Sequence, residues 1–360
     1  MRNRNRFIHL RLHSAYSLLE GAMHVKKLPG VVAKAGMPAV ALTDTNNMFA
    51  ALEFSEMASG EGVQPIVGCQ VSMAYAKADN PRDRNPVPLP IVLLAQSEAG
   101  YLNLMKLNSC LFLESGDEPP HVTTAQLQKH NEGLICLTGG ALGPIGQLLQ
   151  DGQIDKAQML MKHLSEMFEN RLYVELQRHG SDGEKYTKEE AATEQHFVEM
   201  AYAMNLPLVA TNDVYFPKRE MYAAHDALLC ISDGTYVDQQ EGRRRLTPEH
   251  YFKSTDEMIK LFIDLPEAIE NTIEIAKRCA FKTYKRDPIL PKFAENEIEE
   301  LRRQANEGLQ DRLAVIPHAA TREEYQERLD FELGIIEGMG FPGYFLIVAD
   351  FIHWSKENKI

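Results

Sequence analysis

The chain has 360 residues, of which 44% are hydrophobic and 25% are charged, a balance typical of globular domains and unlike that of disordered, fibrous or collagen-like chains. Its length predicts one large α/β domain or two smaller domains. Its formal net charge of −13, from 38 basic and 51 acidic residues, disfavours a protein whose main task is to hold nucleic-acid phosphates.

The sequence shows no clear membrane span, secretory signal or disulfide pattern. No apolar run approaches the roughly 20 residues that a transmembrane helix needs. The basic residues 1–6 are not followed by an apolar stretch, so no secretory signal is predicted. The 5 cysteines are scattered singly, which favours buried thiols in a reducing compartment over a disulfide framework or a zinc ribbon. We therefore expect a cytoplasmic protein without membrane contact.

Short apolar segments with turn residues at their ends predict buried strands in the first part of the chain. These segments are residues 7–13, 39–44, 65–71, 89–95, 133–138, 172–176 and 206–211. Helical periodicity between them, at residues 50–59, 100–112, 154–168 and 189–204, gives a βα alternation. Such an alternation predicts a parallel sheet, either open or closed into a TIM-like barrel. The proline-rich residues 80–90 predict a surface loop.

After about residue 216 the pattern is helical. Helices are predicted over residues 219–231, 254–264, 267–281, 297–313, 322–338 and 344–360, with a basic, proline-containing connector at 282–292. We expect two domains, residues 1–281 and 282–360. No later segment covers the apolar face of the last helix, which carries Phe345 and Ile352, so we expect the sequence to end inside its second domain.

Polar side chains and two glycines lie in the first predicted strand or at the ends of the later ones, and strand ends are where α/β barrels place their functional groups. They are His9, Arg11, His13, Asp44, Gln70, Gly139, Gly140, His179 and Asp213. Imidazoles and carboxylates that converge on one barrel mouth are the ligands of zinc or manganese hydrolases. The alternative interpretation is that the same side chains are hydrogen-bonded structure.

Two further features favour structure. The glycine-rich residues 139–143 follow a strand and suit a phosphate, but they lack the lysine and hydroxyl of a P-loop and the GxGxxG order of a dinucleotide site. His225 is expected to pack within a helix rather than to bind a ligand.

Several segments, in order along the chain, resemble the PHP (polymerase and histidinol phosphatase) domain of the bacterial replicative DNA polymerase III alpha subunits. They are residues 7–21, 41–48, 65–69, 133–139, 209–214 and 225–230. Residues 341–354 look like the beginning of the polymerase palm of that family. The resemblance covers essentially the whole chain. It implies a TIM-like, distorted (β/α)7 barrel, followed by a mainly helical segment that leads into the palm.

The resemblance also implies a metal site, from which this sequence departs. The departures are Arg11, Thr45 and Tyr215 in place of histidines, Gln70 in place of a glutamate and Gly140 in place of a cysteine. The ligands that remain are His13, Glu20, His179 and Asp213. Our hypothesis is that Arg11 replaces the metal as the counter-charge of the carboxylate of Asp213 or Asp44. The alternative is a single zinc or manganese ion on His13, His179 and Asp213.

For the longer protein the resemblance implies template-directed DNA synthesis, with Mg²⁺ held by palm carboxylates beyond residue 360. For this chain we expect no catalytic or cofactor-binding residue. Its expected role is a scaffold that supports the palm and docks the proofreading exonuclease subunit and other subunits of the polymerase III holoenzyme, with DNA contacted through the longer protein. The alternative is an active metal-dependent phosphoesterase or proofreading nuclease of the PHP type. Residues 280–360 disfavour a free-standing enzyme similar to histidinol phosphatase.

Overall fold

The computed structural model describes residues 6–75, 86–239, 241–286, 289–317 and 319–360. Residues 1–5 of the basic N-terminus, residues 80–85 of the predicted proline-rich loop and residues 287–288 of the predicted connector lie outside this part. The chain divides into two compact units, Met1–Lys285 and Arg286–Ile360. The domains predicted as residues 1–281 and 282–360 stay a prediction.

The first unit is built on one curled sheet. Its strands in the described residues are β1 (Ala39–Leu42), β2 (Gln64–Ala74), β3 (Leu89–Ala95), β4 (Val122–Thr123), β5 (Leu134–Leu137), β6 (Leu172–Leu176) and β7 (Leu208–Ala210). Their order is β1-β2-β3-β5-β6-β7, and β4 pairs with β2. The four-to-seven-residue apolar runs explain why the strands are buried on both faces.

The expectation of an entirely parallel sheet is wrong at one strand. β3 runs antiparallel to both of its neighbours, β2 and β5, whereas the β1–β2, β5–β6 and β6–β7 pairs are parallel. A parallel pair needs a crossover connection, usually a helix, and the proline-rich sequence between β2 and β3 predicts none. The chain therefore turns back and pairs directly.

The predicted first strand, residues 7–13, is extended but irregular, and it joins the two edges of the sheet. On one side the amides of Ala41 and Thr43 donate to the carbonyl oxygens of His9 and Leu12, at 2.8 and 2.9 Å. On the other side the amide of His13 donates to the carbonyl oxygen of Val214 at 2.8 Å. This segment brings the sheet close to closure, and the predicted distorted barrel is confirmed.

Helices cover the outside of the barrel in the described residues. They are α1 (Leu28–Lys34), α2 (Ala51–Gly60), α3 (Glu98–Leu113), α4 (Thr124–Lys129), α5 (Pro144–Gln150), α6 (Ile154–Met167), α7 (Lys188–Ala203), α8 (Tyr222–Asp233), α9 (Thr255–Leu261) and α10 (Pro266–Arg278). Local sequence fixes several of their starts. Thr187 and Glu190 form a reciprocal capping box at α7, and Ser254 and Glu257 form another at α9.

Among the described residues, two apolar clusters hold the first unit together. The larger lies between the sheet and its helices. The smaller fills the barrel interior and includes Leu10, Ile66, Leu94 and Ile135, with Ile275 of α10 packed against them. Apolar side chains therefore fill the barrel interior away from its mouth. The polar side chains collect at the mouth, where the strands other than β3 end.

The second unit contains α11 (Glu297–Val315), α12 (Arg322–Gly338) and α13 (Pro342–Glu357). Its small core is formed by Leu301, Leu333 and Leu346. No single described helix is long and apolar enough to span a membrane. The helices α12 and α13 meet the length and composition criteria only as a pair, and this pair is bent by 118°.

Candidate functional site

The guanidinium of Arg11 lies at the centre of the barrel mouth. Its side chain is buried, and Nη2 donates to Gln70 Oε1 at 2.6 Å while Nη1 donates to Glu175 Oε1 at 3.3 Å. Nε lies 3.1 Å from Asp213 Oδ1. Although burial opposes the charge, the carboxylates of Asp213 and Glu175 raise the pKa of Arg11 above its usual range. Arg11 is therefore a permanent cation between two buried carboxylates.

Asp213 is the carboxylate that Arg11 and His13 share. Its Oδ1 atom lies 2.9 Å from His13 Nε2 as well as 3.1 Å from Arg11 Nε. Burial raises the pKa of Asp213, but Arg11 and His13 lower it by more, so that its pKa lies well below the usual range. Asp213 is therefore ionised at neutral pH and already has cationic or donor partners.

Glu175 is a member of the cluster that the sequence analysis missed. It lies on β6 with no exposed side-chain surface. Besides Arg11, its carboxylate accepts hydrogen bonds from the amide of Gly139 at 2.9 Å and from the hydroxyl of Thr211. The sequence feature that could have identified Glu175 is that it is the single charged residue inside the apolar run of residues 172–176. A buried carboxylate in such a run needs a cation or several donors, and here it has both.

The glycine-rich residues 139–143 do not form an open phosphate-binding loop. Instead, the first of them contacts the carboxylate of Glu175. The amide of Gly139 donates to Glu175 and the carbonyl oxygen of Gly139 accepts from Arg11 Nη1 at 3.3 Å. Gly140 has a φ of +64°, and a Cβ atom there would lie 2.8 Å from Gln177 Oε1. The departure from cysteine at Gly140 therefore coincides with space that Gln177 occupies.

His13 is held from both sides of its ring. Nε2 faces Asp213, while Nδ1 lies 3.2 Å from Ser17 Oγ and 3.3 Å from Thr45 Oγ1. The ring of Tyr215 stacks on the imidazole, with centroids 4.3 Å apart and an interplanar angle of 7°. Tyr215, at a position where the resemblance implies a histidine, thus covers His13 with an aromatic face.

Glu20 makes different contacts from the other predicted ligands. Thr45 Oγ1 donates to Glu20 Oε2 at 2.8 Å, and Arg244 Nη1 donates to Glu20 Oε1 at 2.7 Å. The ring of His225 lies under the same segment, with Nε2 2.6 Å from the carbonyl oxygen of Glu20. His225 is buried on α8, and its packing role stays a prediction. Arg244 is a second partner of Glu20 that the sequence analysis missed.

His179 contributes its ring to a hydrogen-bonded chain. Because the backbone amide of Asp213 can only donate, His179 Nε2 accepts from it at 3.2 Å, and Nδ1 donates to Glu190 Oε1 at 2.7 Å. Burial lowers the pKa of His179 to about 3, so the ring is neutral. Burial also raises the pKa of Glu190.

His250 is another residue of the mouth that the sequence analysis did not find. Its ring stacks on that of His179, with centroids 3.9 Å apart and an interplanar angle of 2°. Nδ1 lies 2.9 Å from the carbonyl oxygen of Asp213. Burial and the neighbouring His179 hold the pKa of His250 well below its usual value. Two neutral, stacked imidazoles therefore fix the backbone of Asp213.

Asp44 and His9 lie outside this cluster. The carboxylate of Asp44 accepts from the amide of Ser14 at 2.6 Å and from the hydroxyls of Ser14 and Ser17 at 2.7 and 2.6 Å. Of the two partners expected for Arg11, the structure shows Asp213 and not Asp44. His9 Nε2 lies 2.8 Å from the carbonyl oxygen of Lys253.

These contacts do not fit the metal cluster that the resemblance implies. In the described part of the chain, no group of three or more His, Cys, Asp or Glu side chains is arranged to hold a metal ion. The Nε2 lone pair of His179 is used by the Asp213 amide, and the carboxylate of Asp213 already faces His13 and Arg11. A cation placed there would meet the permanent charge of the guanidinium. The residual zinc or manganese site stays a prediction.

Comparisons with known proteins agree with this architecture. A family model described as the PHP domain matches residues 9–179. A second model, described as the bacterial DNA polymerase III alpha NTPase domain, matches residues 299–360. A solved structure of a candidate metal-dependent phosphoesterase from Bifidobacterium adolescentis is 11% identical, covers 72% of this chain and 98% of its own, and has a TM-score of 0.37. The family-model match to residues 9–179 identifies the barrel as a PHP domain.

Curated relatives extend over almost the whole sequence. The DNA polymerase III subunit alpha of Caulobacter vibrioides is 52% identical over 359 residues, which are 98% of this chain and 31% of the relative. That of Pseudomonas aeruginosa is 41% identical over 368 residues, 98% of this chain and 30% of the relative. The chain belongs to the family of bacterial DNA polymerase III alpha subunits, as the resemblance predicted. It spans about 30% of the length of these relatives.

Proposed function

We propose that the chain is the PHP domain and the first part of the polymerase region of a replicative DNA polymerase. The activity of the whole protein is template-directed DNA synthesis in the bacterial cytoplasm, with Mg²⁺ held by carboxylates outside residues 1–360. The identity of 52% and 41% to two alpha subunits over 98% of the chain supports this proposal. Within this protein the barrel serves as a scaffold without hydrolytic chemistry.

The observation that carries the scaffold role is the position of Arg11. Its guanidinium lies between the buried carboxylates of Asp213 and Glu175, where a metal-binding relative would need a cation. Two unpaired carboxylates cannot be buried without a counter-charge, because desolvation of each costs several kcal/mol. Arg11 supplies that charge permanently, and Gln70 adds a neutral partner in place of a third carboxylate.

The alternative, a metal-dependent phosphoesterase or proofreading nuclease, needs donors that the mouth does not offer. A hydrolytic metal needs an open coordination position for the water that attacks the phosphorus. Gly140 has no donor side chain, the Thr45 hydroxyl is directed to Glu20, and the Tyr215 ring covers His13.

An activity assay tests the scaffold role directly. We expect the purified 360-residue chain, incubated with Mn²⁺ or Zn²⁺, to release no phosphate from p-nitrophenyl phosphate and no nucleotide from a labelled single-stranded oligonucleotide. Arg11→Ala serves as the internal comparison, since removal of the cation would raise activity if a metal site were only blocked. Hydrolysis by the unaltered chain that a chelator abolishes would overturn the proposal.

We also propose that the scaffold docks the proofreading exonuclease subunit and, through the longer protein, the other holoenzyme subunits. A barrel held by buried ion pairs is a rigid platform, and rigid surfaces bind partners with a smaller entropic cost. Isothermal titration of the 360-residue chain with the purified exonuclease subunit tests this role. A saturable, stoichiometric heat supports it, and the absence of binding at high protein concentration contradicts it.

A further inference from the structure

A surface pocket of about 490 Å³ opens beside the turn Ser14–Gly21, which follows the first segment of the barrel. Its apolar wall includes Ala15, Tyr16 and Val25. Leu18 and Leu19, which follow Tyr16 in the same turn, expose 70% and 47% of their surface. The pocket and these leucines are outside the Arg11 cluster and have no role in the scaffold derived above.

The rim of this pocket is basic in a chain that is acidic as a whole. His24, Lys26 and Lys27 are exposed and line it. In the described part of the chain, no ion pair or hydrogen bond engages the side chains of Lys26 and Lys27. The acidic residue of the rim, Glu53, accepts a hydrogen bond from the Tyr16 hydroxyl at 3.2 Å. Two free ammonium groups thus stand beside apolar surface.

The turn that carries the exposed leucines is held rigidly. Asp44 accepts from the amide of Ser14 and from the hydroxyl of Ser17, and Asn47 Nδ2 donates to the carbonyl oxygen of Tyr16 at 2.9 Å. Leu19 has a φ of +60°, a left-handed conformation that is unfavourable for a large side chain. Backbone strain of this kind persists where the surrounding structure imposes it, often at binding surfaces. The leucines are therefore presented in one fixed geometry.

We infer that this pocket and the adjoining Leu18–Leu19 turn dock an acidic segment of a partner protein that also carries large apolar side chains. The inference rests on the proposed docking function and adds the place and the chemistry of the contact. Apolar side chains of the segment fill the pocket beside Tyr16, and its carboxylates meet Lys26 and Lys27. At physiological ionic strength charges interact over about 8 Å, so the local lysines outweigh the net charge of the chain.

A nucleic acid is a less suitable occupant of the same surface. A phosphate-binding groove needs a stripe of cations along the backbone, and single strands add aromatic faces at successive bases. This pocket offers two lysines, one histidine and one tyrosine, with an acidic residue on its rim. The mixture of apolar wall and few cations matches a peptide with alternating acidic and apolar side chains better.

Charge reversal of the two lysines tests the inference on the 360-residue chain. The variant is Lys26→Glu with Lys27→Glu, and the matched control is Lys156→Glu with Lys188→Glu, exposed lysines on α6 and α7 that carry the same change in net charge. The probes are the purified proofreading exonuclease subunit, a fluorescein-labelled peptide of alternating Glu and Leu or Phe residues, and a labelled single-stranded oligonucleotide. Binding is measured by fluorescence anisotropy and by titration calorimetry.

We expect Lys26→Glu with Lys27→Glu to weaken binding of the peptide by about tenfold or more, with the control pair unchanged and with affinity that falls as salt rises. The same loss with the exonuclease subunit identifies that subunit as the partner. If the subunit binds both variants equally, the docking function stands and the inference about this surface is wrong. Lysine-dependent binding of the oligonucleotide instead of the peptide, or no binding of either protein probe, also overturns it.

Discussion

Arg11 and Asp213 form the central ion pair of the barrel mouth, with Nε and Oδ1 3.1 Å apart and both side chains buried. Arg11 lies in the segment that joins the two edges of the curled sheet, and Asp213 follows β7 at one of these edges. The pair therefore connects the segment that brings the barrel to closure with the last strand. We expect this geometry both to stabilise the fold and to disfavour a bound metal ion.

Removal of Arg11 is expected to destabilise the first unit strongly. Arg11→Ala leaves Asp213 and Glu175 buried without their cation, which costs about 3–5 kcal/mol of unfolding free energy for a buried pair of this kind. The measurement is urea unfolding of the chain followed by circular dichroism. Arg219→Ala is the matched control, because it removes an exposed ion pair with Glu249, and such a pair contributes less than about 1 kcal/mol.

Equal effects of the two arginine variants would contradict the counter-charge hypothesis. A second comparison separates charge from packing. Arg11→Met keeps much of the side-chain volume but not the charge, so we expect it to be nearly as destabilising as Arg11→Ala. Wild-type stability of Arg11→Met would show that the carboxylates need no cation.

Stability is expected to fall as the pH drops below about 6.5. Burial lowers the pKa of His179 from 6.5 to about 3, so between these values the unfolded chain binds a proton that the folded chain does not. His250 acts in the same direction. Asp213, whose pKa is depressed in the folded state, adds a further loss at lower pH, when its carboxylate is protonated. Stability from these groups is thus fully present above pH 6.5.

The measurement is the urea midpoint as a function of pH. His179→Gln removes one of the groups responsible, so we expect a smaller decline between pH 6.5 and about 4 even if the variant is less stable throughout. His163→Gln changes an exposed histidine of α6 and is expected to leave the decline as it is. A pH profile of His179→Gln parallel to that of the unaltered chain would show that His179 is not the group that titrates.

The sequence predicted most elements and part of the mouth, for physical reasons. Apolar periodicity gave the strands and helices, and the strand ends gave His13, His179 and Asp213, which the structure brings together. The direction of β3 is predicted wrongly because a βα alternation implies a crossover helix before each strand, whereas the sequence before β3 is proline-rich. Glu175 was overlooked because it lies inside a buried strand rather than at its end.

The contacts of His250 and Arg244 could not be predicted from the sequence for a different reason. Both lie in the irregular segment after α8, where no periodicity predicts which way a side chain points. His250 reaches Asp213, 37 residues earlier, and Arg244 reaches Glu20, 224 residues earlier. Contacts of such separation depend on how the whole barrel closes, which local patterns do not encode.

Metal content is expected to be low. Since Arg11 provides the positive charge and His179 Nε2 already accepts a hydrogen bond, we expect the purified, tag-free chain to retain less than about a tenth of an equivalent of zinc or manganese after exposure to both. Plasma mass spectrometry after gel filtration provides the measurement. About one equivalent that is lost in His13→Ala, His179→Ala and Asp213→Ala, but not in His163→Ala, would establish the mononuclear alternative.

A side chain at Gly140 is expected to be costly because two effects add. Its φ of +64° disfavours any residue with a Cβ atom, and that atom would lie 2.8 Å from Gln177 Oε1. We expect Gly140→Ala to lower the unfolding free energy by about 1–3 kcal/mol. Gly36→Ala is the matched control, since Gly36 has a φ of +69° but no atom within 4 Å of the added Cβ, and it measures the backbone effect alone.

The extra loss of stability at Gly140, relative to Gly36, should fall when Gln177→Ala is combined with Gly140→Ala, because the double variant removes the contacting amide. If the two glycine variants are equally destabilised, the contact with Gln177 contributes nothing and only the left-handed backbone explains the glycine.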